Sequence, residues 1–257
     1  MVTAPSKNPY DSETAIQNSS YAQFVDGVLL LSDSGEQAPA LADRVHGALR
    51  ALILDPDFPC LASRSALNQG SYRFAMYKEM NSPESTAGLA RDLYTFVQEQ
   101  LQIEGDFTTF IASFDAPKSL PPEEFEARLW EQLHALHQLD HEPWDLGVES
   151  DPGDPRFGFS FAGRAFFIVG LSPMAERWGR RFPWPTLAFN AHFQFEKLRE
   201  DGRFEMMRDT IRERDTKLEG VMNPNVEDFG EHTEARQYSG RSIPEGWMCP
   251  VRFERDE

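Results

Sequence analysis

Four groups of residues in this 257-residue chain have side chains and spacing suited to chemistry. The run LWEQLHALHQLDHEPW carries Glu131, His134, His137, Asp140 and His141. Glu131 and His134 are three apart, as are His134 and His137, so on a helix they share a face. Glu-x-x-His is half of a carboxylate-bridged di-iron helix motif, and the chain has no second copy to complete it. Solvated histidines at a helix end, favoured by the dipole, are the competing reading.

Cys60 follows two prolines in Asp55-Pro56-Asp57-Phe58-Pro59, a stiff turn that would present it as a nucleophile, a cofactor-facing thiol or a thiolate iron ligand. A free cysteine is more often a small buried hydrophobe. His192 stands in FNAHFQFEKLR between a strand-like and a helix-like segment, a junction where loops present functional groups from a rigid scaffold. Neutral imidazole is the commonest protein ligand for heme iron. Phe189, Phe193 and Phe195 around His192 would supply an apolar wall.

The fourth group is arginine: Arg177, Arg180 and Arg181, then Arg212 and Arg214, then Arg236 and Arg241. Each single arginine is expected to pair with a neighbouring carboxylate. As a set beside a cavity they suit an anionic ligand, because guanidinium binds carboxylates in bidentate fashion.

The elements that must position these groups are read from periodicity and punctuation. Leu41–Leu54 has helical spacing and stops at Asp55-Pro56. Tyr72–Tyr77 and Phe107–Phe114 read as strands, and Thr86–Ile103 as a helix between them. Pro121 and Pro122 open a helix that runs to about Leu139, with acidic residues in its first turns. After a Pro/Gly/Asp linker at 145–155, two β-rich runs flank Ala162-Gly163 and predict a hairpin. Thr186–Phe189 is a short strand, Phe193–Lys217 is helical with a break at Gly202, and Asn223–Pro250 is mostly loop. The expected architecture is α+β: a mixed, partly antiparallel sheet with a prominent hairpin, packed with several helices. Residues 1–20 are expected to be a loose segment and 21–257 a single domain.

Hydrophobic residues make up 40% of the chain, too many for a disordered one. A formal net charge of −17 argues against nucleic-acid or anionic-membrane partners, which are bound through basic patches. The charge is uneven: before Arg156 there are 9 basic and 25 acidic residues, and from Arg156 onwards 16 and 17. The arginine-rich half is therefore the expected place for a small anionic group. No run approaches the roughly 20 apolar residues of a membrane helix. The N-terminus lacks a signal-peptide profile, so a cytoplasmic protein is expected. Two distant cysteines, Cys60 and Cys249, give neither a disulfide framework nor a multi-cysteine zinc site. P-loop, Gly-x-Gly-x-x-Gly and Gly-x-Ser-x-Gly motifs are absent.

The run FGFSFAGRAFFIVGLSPMAERWGRRFPWPTLAFNAHFQFEKLR, followed by IRERD, NPNVEDFG, EARQYSGR and WMCP, resembles the YqcI/YcgG family. FPCLASRSAL and LHQLD match it earlier, so the resemblance extends over nearly everything after about Ala40. Members of known activity are heme-dependent amine N-oxygenases, which hydroxylate a nitrogen of arginine or of guanidino and amino relatives. The resemblance thus implies heme b with a histidine axial ligand and a cysteine near the iron on the distal side. Carried over by motif, His192 is the axial ligand, with His137 as fallback, and Cys60 is the distal thiol. Members often carry Gly-Leu-His-Pro where this chain has Gly170-Leu171-Ser172-Pro173, which shifts the choice of ligand towards His192.

The expected function is a heme-dependent monooxygenase that N-hydroxylates the amine or guanidine of a small amino-acid-like substrate, using dioxygen or peroxide. Arg177, Arg180, Arg181, Arg212 and Arg214 would hold propionates or the substrate carboxylate, and Phe189 would line the cofactor. A homodimer is one assembly in view. Two alternatives stand beside this: a non-catalytic heme-binding or sensing protein, and a non-heme metalloprotein using Glu131, His134 and His137.

Overall fold

A seven-stranded mixed sheet in the order β2-β1-β3-β4-β7-β6-β5 organises the chain, as the computed structural model describes it for residues 7–221 and 232–254. β3 (Tyr72–Glu79) and β4 (Thr109–Ala116) are its parallel pair, joined through α4 (Pro83–Glu99), because parallel neighbours need a crossover rather than a tight turn. β6 (Arg164–Leu171) and β7 (Thr186–Ala191) continue the sheet antiparallel to β4. The expected hairpin is present: β5 (Phe159–Phe161) turns into β6 through Ala162 and Gly163, both at positive φ (52° and 69°). Two such residues give the turn whose twist matches antiparallel strands.

Alternation along the strands sends side chains to two faces. Ala75, Tyr77, Phe110, Phe114, Phe166 and Phe189 meet α4 and α5 (Pro122–Leu139) in the larger core, around Phe96, Leu129 and Trp130. Tyr72, Phe74, Ile111 and Leu171 meet α2 (Ala40–Leu54) on the other face, against Val45, Leu49 and Ile53. Each such fully buried side chain contributes roughly 1.5–3 kcal/mol.

α4 starts at Pro83, three residues before the expected Thr86, because Ser82 caps it and proline suits the first helical position. The break at Gly202 (φ 66°) separates α6 (Phe193–Glu200) from α7 (Phe204–Glu219). Five elements lie outside the expectations: the hairpin strands β1 (Ala22–Val25) and β2 (Val28–Leu31), α3 (Leu61–Gln69), α8 (Ala235–Tyr238) and α1 (Glu13–Asn18). α1 falls within residues expected to be loose, yet its neighbourhood is tied down. Asp92 of α4 accepts from Ser19 Oγ (2.6 Å) and Ser20 N (2.9 Å), and Arg91 pairs with Asp11 at 3.0 Å. Among the described residues no helix is long and apolar enough to cross a membrane.

Candidate functional site

His192 sits where β7 gives way to α6. Its amide donates to Ala165 O at 2.9 Å, a last link to β6, and its backbone is already helical. The imidazole is 7% exposed. Nε2 lies 3.2 Å from Oε2 of Glu234, which immediately precedes α8. Nδ1 has no hydrogen-bond partner, and Oε1 of Glu196 is 4.0 Å away. Burial pulls the imidazole pKa down, but the Glu234 hydrogen bond and charge, with Glu196 behind them, outweigh it and hold it above the ordinary value. Glu234 is fixed in turn: its Oε1 accepts from Tyr238 OH at 2.6 Å, and that hydroxyl accepts from Phe159 N at 3.2 Å.

Cys60 occupies the N-cap position of α3, partly buried, with its thiol uncommitted to capping. The 3-10 turn Trp178–Arg180 lies against this segment. Phe58 and Trp178 rings are 6.1 Å apart, and a Cβ on Gly179 would stand 3.1 Å from Pro59. Arg180 donates to Gly170 O (3.0 Å) and Gln237 O (3.2 Å) and has no carboxylate within salt-bridge distance among the described residues. Burial lowers its pKa to about 10, partly offset by Cys60 and Asp215.

Arg177, Arg181, Arg214 and Arg241 are braces. Arg177 donates to Asp215 Oδ2 (2.6 Å) and Val221 O (3.1 Å), fastening the last turns of α7. Arg214 reaches from α7 to Pro56 O and, at 3.1 Å, to Phe58 O. Arg181 donates to the carbonyls of Ala175 and Glu176, both at 3.1 Å. Arg212 lies on the same helix as Arg214. Arg241 pairs with buried Glu126 at 2.7 Å.

The structure therefore brings Cys60, Arg177, Arg180 and Arg214 to one region. His192 lies at the other end of the β6–β7 pair, since Ala191 is opposite Phe166 whereas Thr186 is opposite Leu171. At about 3.3 Å per strand residue those ends are roughly 17 Å apart. Two features join them. α8 receives Arg180 on its Gln237 carbonyl and begins beside Glu234, which holds His192. Ala62 and Ala66 of α3 pack on Phe195, Leu198 and Phe204, so Cys60 precedes one side of that contact and His192 the other. Phe189, in contrast, is fully buried in the α4–α5 core, 6.0 Å from Phe166 and 6.1 Å from Phe110.

On α5, Glu131 is exposed, the His134 and His137 rings are 6.4 Å apart, and His137 packs edge-on to Trp144 and Phe253. Among the described residues no group of three His, Cys, Asp or Glu side chains can hold a metal ion. His192 offers single-histidine donor chemistry instead. A buried imidazole with one nitrogen on a carboxylate and the other unpartnered occurs where a carboxylate orients a metal-ligating histidine, and also in a buried His–Glu ion pair. A polar, open hollow of about 380 Å³, lined by Gln23, Gln69, Arg73 and Glu99 among others, lies elsewhere. The NPNVEDFG segment, residues 223–230, is outside the described residues.

Glu234 and Tyr238 are the site residues that sequence reasoning missed. The one signal for them was their i, i+4 spacing within TEARQYSG.

A sequence profile of the YqcI/YcgG family matches residues 49–252. DcsA of Streptomyces lavendulae, provisionally named an N(omega)-hydroxy-L-arginine synthase, is 27% identical over 258 residues, covering 88% of this chain and 94% of its own. YqcI of Bacillus subtilis, whose name states no function, is 26% identical over 57% of this chain and 59% of its own. YcgG of the same organism, likewise without a stated function, is 26% identical over 55% of this chain and 57% of its own. No solved structure matches the chain.

Proposed function

The chain belongs to the YqcI/YcgG family, and on that premise we propose that it is a heme-dependent N-oxygenase of a small amino-acid-like substrate. The name of DcsA supports reaction at an amine or guanidine nitrogen. The observation that carries the cofactor reading is His192: buried, held at Nε2 by Glu234, with Nδ1 unpartnered. Heme would supply the oxidising chemistry, with dioxygen or peroxide as the oxygen source. With peroxide the balance is simple: a primary amine and hydrogen peroxide give an N-hydroxylamine and water.

This chain's residues have separate tasks in that reaction. His192 would hold the iron, and Glu234 would keep the ring from turning. Cys60, beside Arg180 and at the opposite end of the β6–β7 pair from His192, would line the approach of the substrate. Arg180, whose guanidinium is met by carbonyls rather than a carboxylate, is the arginine best placed to attract a propionate or substrate carboxylate. Arg177 and Arg214 would hold α7 and the Pro56–Phe58 turn in place around the substrate.

The test is product analysis. Protein reconstituted with hemin is incubated with peroxide and a panel of amino and guanidino acids, and products are read by mass spectrometry. One substrate should gain a single oxygen atom on nitrogen, and Cys60→Ala should lower that yield at least tenfold. Absence of any oxygen gain across the panel, with heme bound, would leave the protein a heme binder and defeat the enzymatic reading.

A further inference from the structure

We propose that the polar hollow between β1, α3, β3 and the end of α4 binds a small zwitterion of the amino-acid class. Arg73 takes its carboxylate, and Glu99 with Glu104 takes its cationic group. The proposal is independent of the heme reading, since it uses neither His192 nor Cys60. At about 1.5 Å per helical residue, Gln69 lies roughly 13 Å along α3 from Cys60.

The hollow has a volume of about 380 Å³, within the range of small-molecule sites. Its wall is made by Gln23 of β1, Gln69 at the end of α3, Arg73 of β3, Glu99 at the end of α4, and Gln102 and Glu104 just beyond. Of the lining side chains only Ile103 is apolar. An apolar occupant would leave the others unpaired, so the wall selects a polar one.

Arg73 is the group that points to a ligand. It is 7% exposed; Nε lies 2.5 Å from Glu99 Oε1, and Nη1 donates to Tyr72 O at 3.0 Å. Nη2 makes no hydrogen bond among the described residues. A guanidinium carries five donors in a fixed fork, and its spare ones suit a carboxylate oxygen. The opposite charge stands beside it. Glu99 Oε1 already meets Arg73 and the Tyr21 hydroxyl, which leaves Oε2 open. Glu104 is exposed at the rim. α3 and α4 both end at the hollow, and helix C-termini carry partial negative charge that favours a cation.

The two glutamates repel a simple anion, and Arg73 repels a simple cation. A ligand with both charges a few bonds apart satisfies each. A purely structural Arg73–Glu99–Tyr21 brace accounts for the ion pair, but not for spare donors facing three glutamine amides around an opening.

Those amides are the reporters. Full-length 15N-labelled protein is titrated with L-arginine and L-alanine, and with acetate and methylammonium as single-charge controls at matched ionic strength. The side-chain NH2 signals of Gln23, Gln69 and Gln102, each assigned by its loss on substitution with alanine, should shift saturably with at least one amino acid. Gln132, buried against Thr86 of α4, should stay in place. Arg73→Gln removes a charge-assisted contact and should weaken binding roughly tenfold or more. Glu104→Gln alters an exposed side chain, keeps the fold, and should weaken binding about threefold. If Arg73→Gln lowers the urea midpoint too far to be titrated, Glu104→Gln decides. No saturable shift with either amino acid, an equal response to acetate or methylammonium, or unchanged affinity in Glu104→Gln overturns the proposal. These measurements need no heme, so failure of the heme reading leaves them standing.

Discussion

Gly170→Ala is a one-methyl perturbation whose consequences can be worked through from contacts. Gly170 lies in β6 opposite Leu187, where α5 and α8 both close onto the strand. A Cβ there would stand 2.7 Å from Phe125 Cε1, 2.8 Å from Tyr238 O and 2.9 Å from Leu129 Cδ1. Carbon contacts are comfortable at about 3.5–4.0 Å, so three neighbours must each retreat by roughly 0.6–1 Å. Phe125 and Leu129 are essentially fully buried and have little room, and the third neighbour is backbone. Overpacking of this kind costs about 1–3 kcal/mol. In a chain of this length that lowers Tm by about 2–12 °C. The displaced carbonyl belongs to the helix that begins beside Glu234, so the loss should be concentrated there. Urea unfolding should show a lower midpoint at unchanged slope, and hydrogen exchange should rise at residues 234–239. Gly47→Ala is the control: a Cβ there meets nothing within 4 Å on α2, and the change should stabilise by up to about 1 kcal/mol. A Gly170→Ala midpoint indistinguishable from wild type would refute the packing of α8 on β6.

Two buried groups should produce opposite pH slopes. Burial, with Arg50 nearby, lowers the pKa of His46 to about 4, so its contribution is complete above 6.5 and is lost as pH falls towards 4. His46→Gln should therefore gain on wild type by about 1 kcal/mol per pH unit as pH falls through that window, measured by urea midpoints. Burial raises Asp92 to about 6, only partly countered by Ser19, Ser20 and Tyr77, so its contribution is complete below 3.8 and lost as pH rises through 6. Asp92→Asn should lose ground on wild type by a similar amount per unit as pH falls from 6 to 4, and parallel profiles would contradict the assignment. Arg177→Ala removes the 2.6 Å bond to Asp215 and the 3.1 Å bond to Val221 O, a loss of about 2 kcal/mol that should appear as faster proteolysis at the C-terminal end of α7.

Most of the sheet is legible in the sequence because its strands are punctuated by Pro, Gly and Asp and flanked by periodic helices. The β1–β2 hairpin is the instructive omission. Asp26-Gly27 between apolar pairs is a strong two-residue turn signal, and both residues adopt positive φ (50° and 86°). The strands it joins have only four residues each. α3 was illegible for another reason. LASRSALNQ buries only Ala66 and Leu67, so its helix is decided by packing and by Gly70 at its C-terminus rather than by periodicity. His192 could be picked out because its position between strand and helix is local. Glu234 could not, because an ion pair spanning 42 residues has no period and lies within an acidic stretch of sequence. The arginine set divides the same way. Pairing with a carboxylate was foreseeable and holds for Arg177, whereas the backbone carbonyls that engage Arg180, Arg181 and Arg214 depend on how loops are routed in three dimensions.

Whether His192 holds a heme is decided by an absorption spectrum. Protein expressed with added heme precursor is purified alongside His192→Ala and His134→Ala, and all three are compared at equal concentration. A Soret band is expected in the wild type and in His134→Ala and should be lost in His192→Ala with the fold retained. A colourless wild type that hemin does not reconstitute, or a band that survives in His192→Ala, would contradict it.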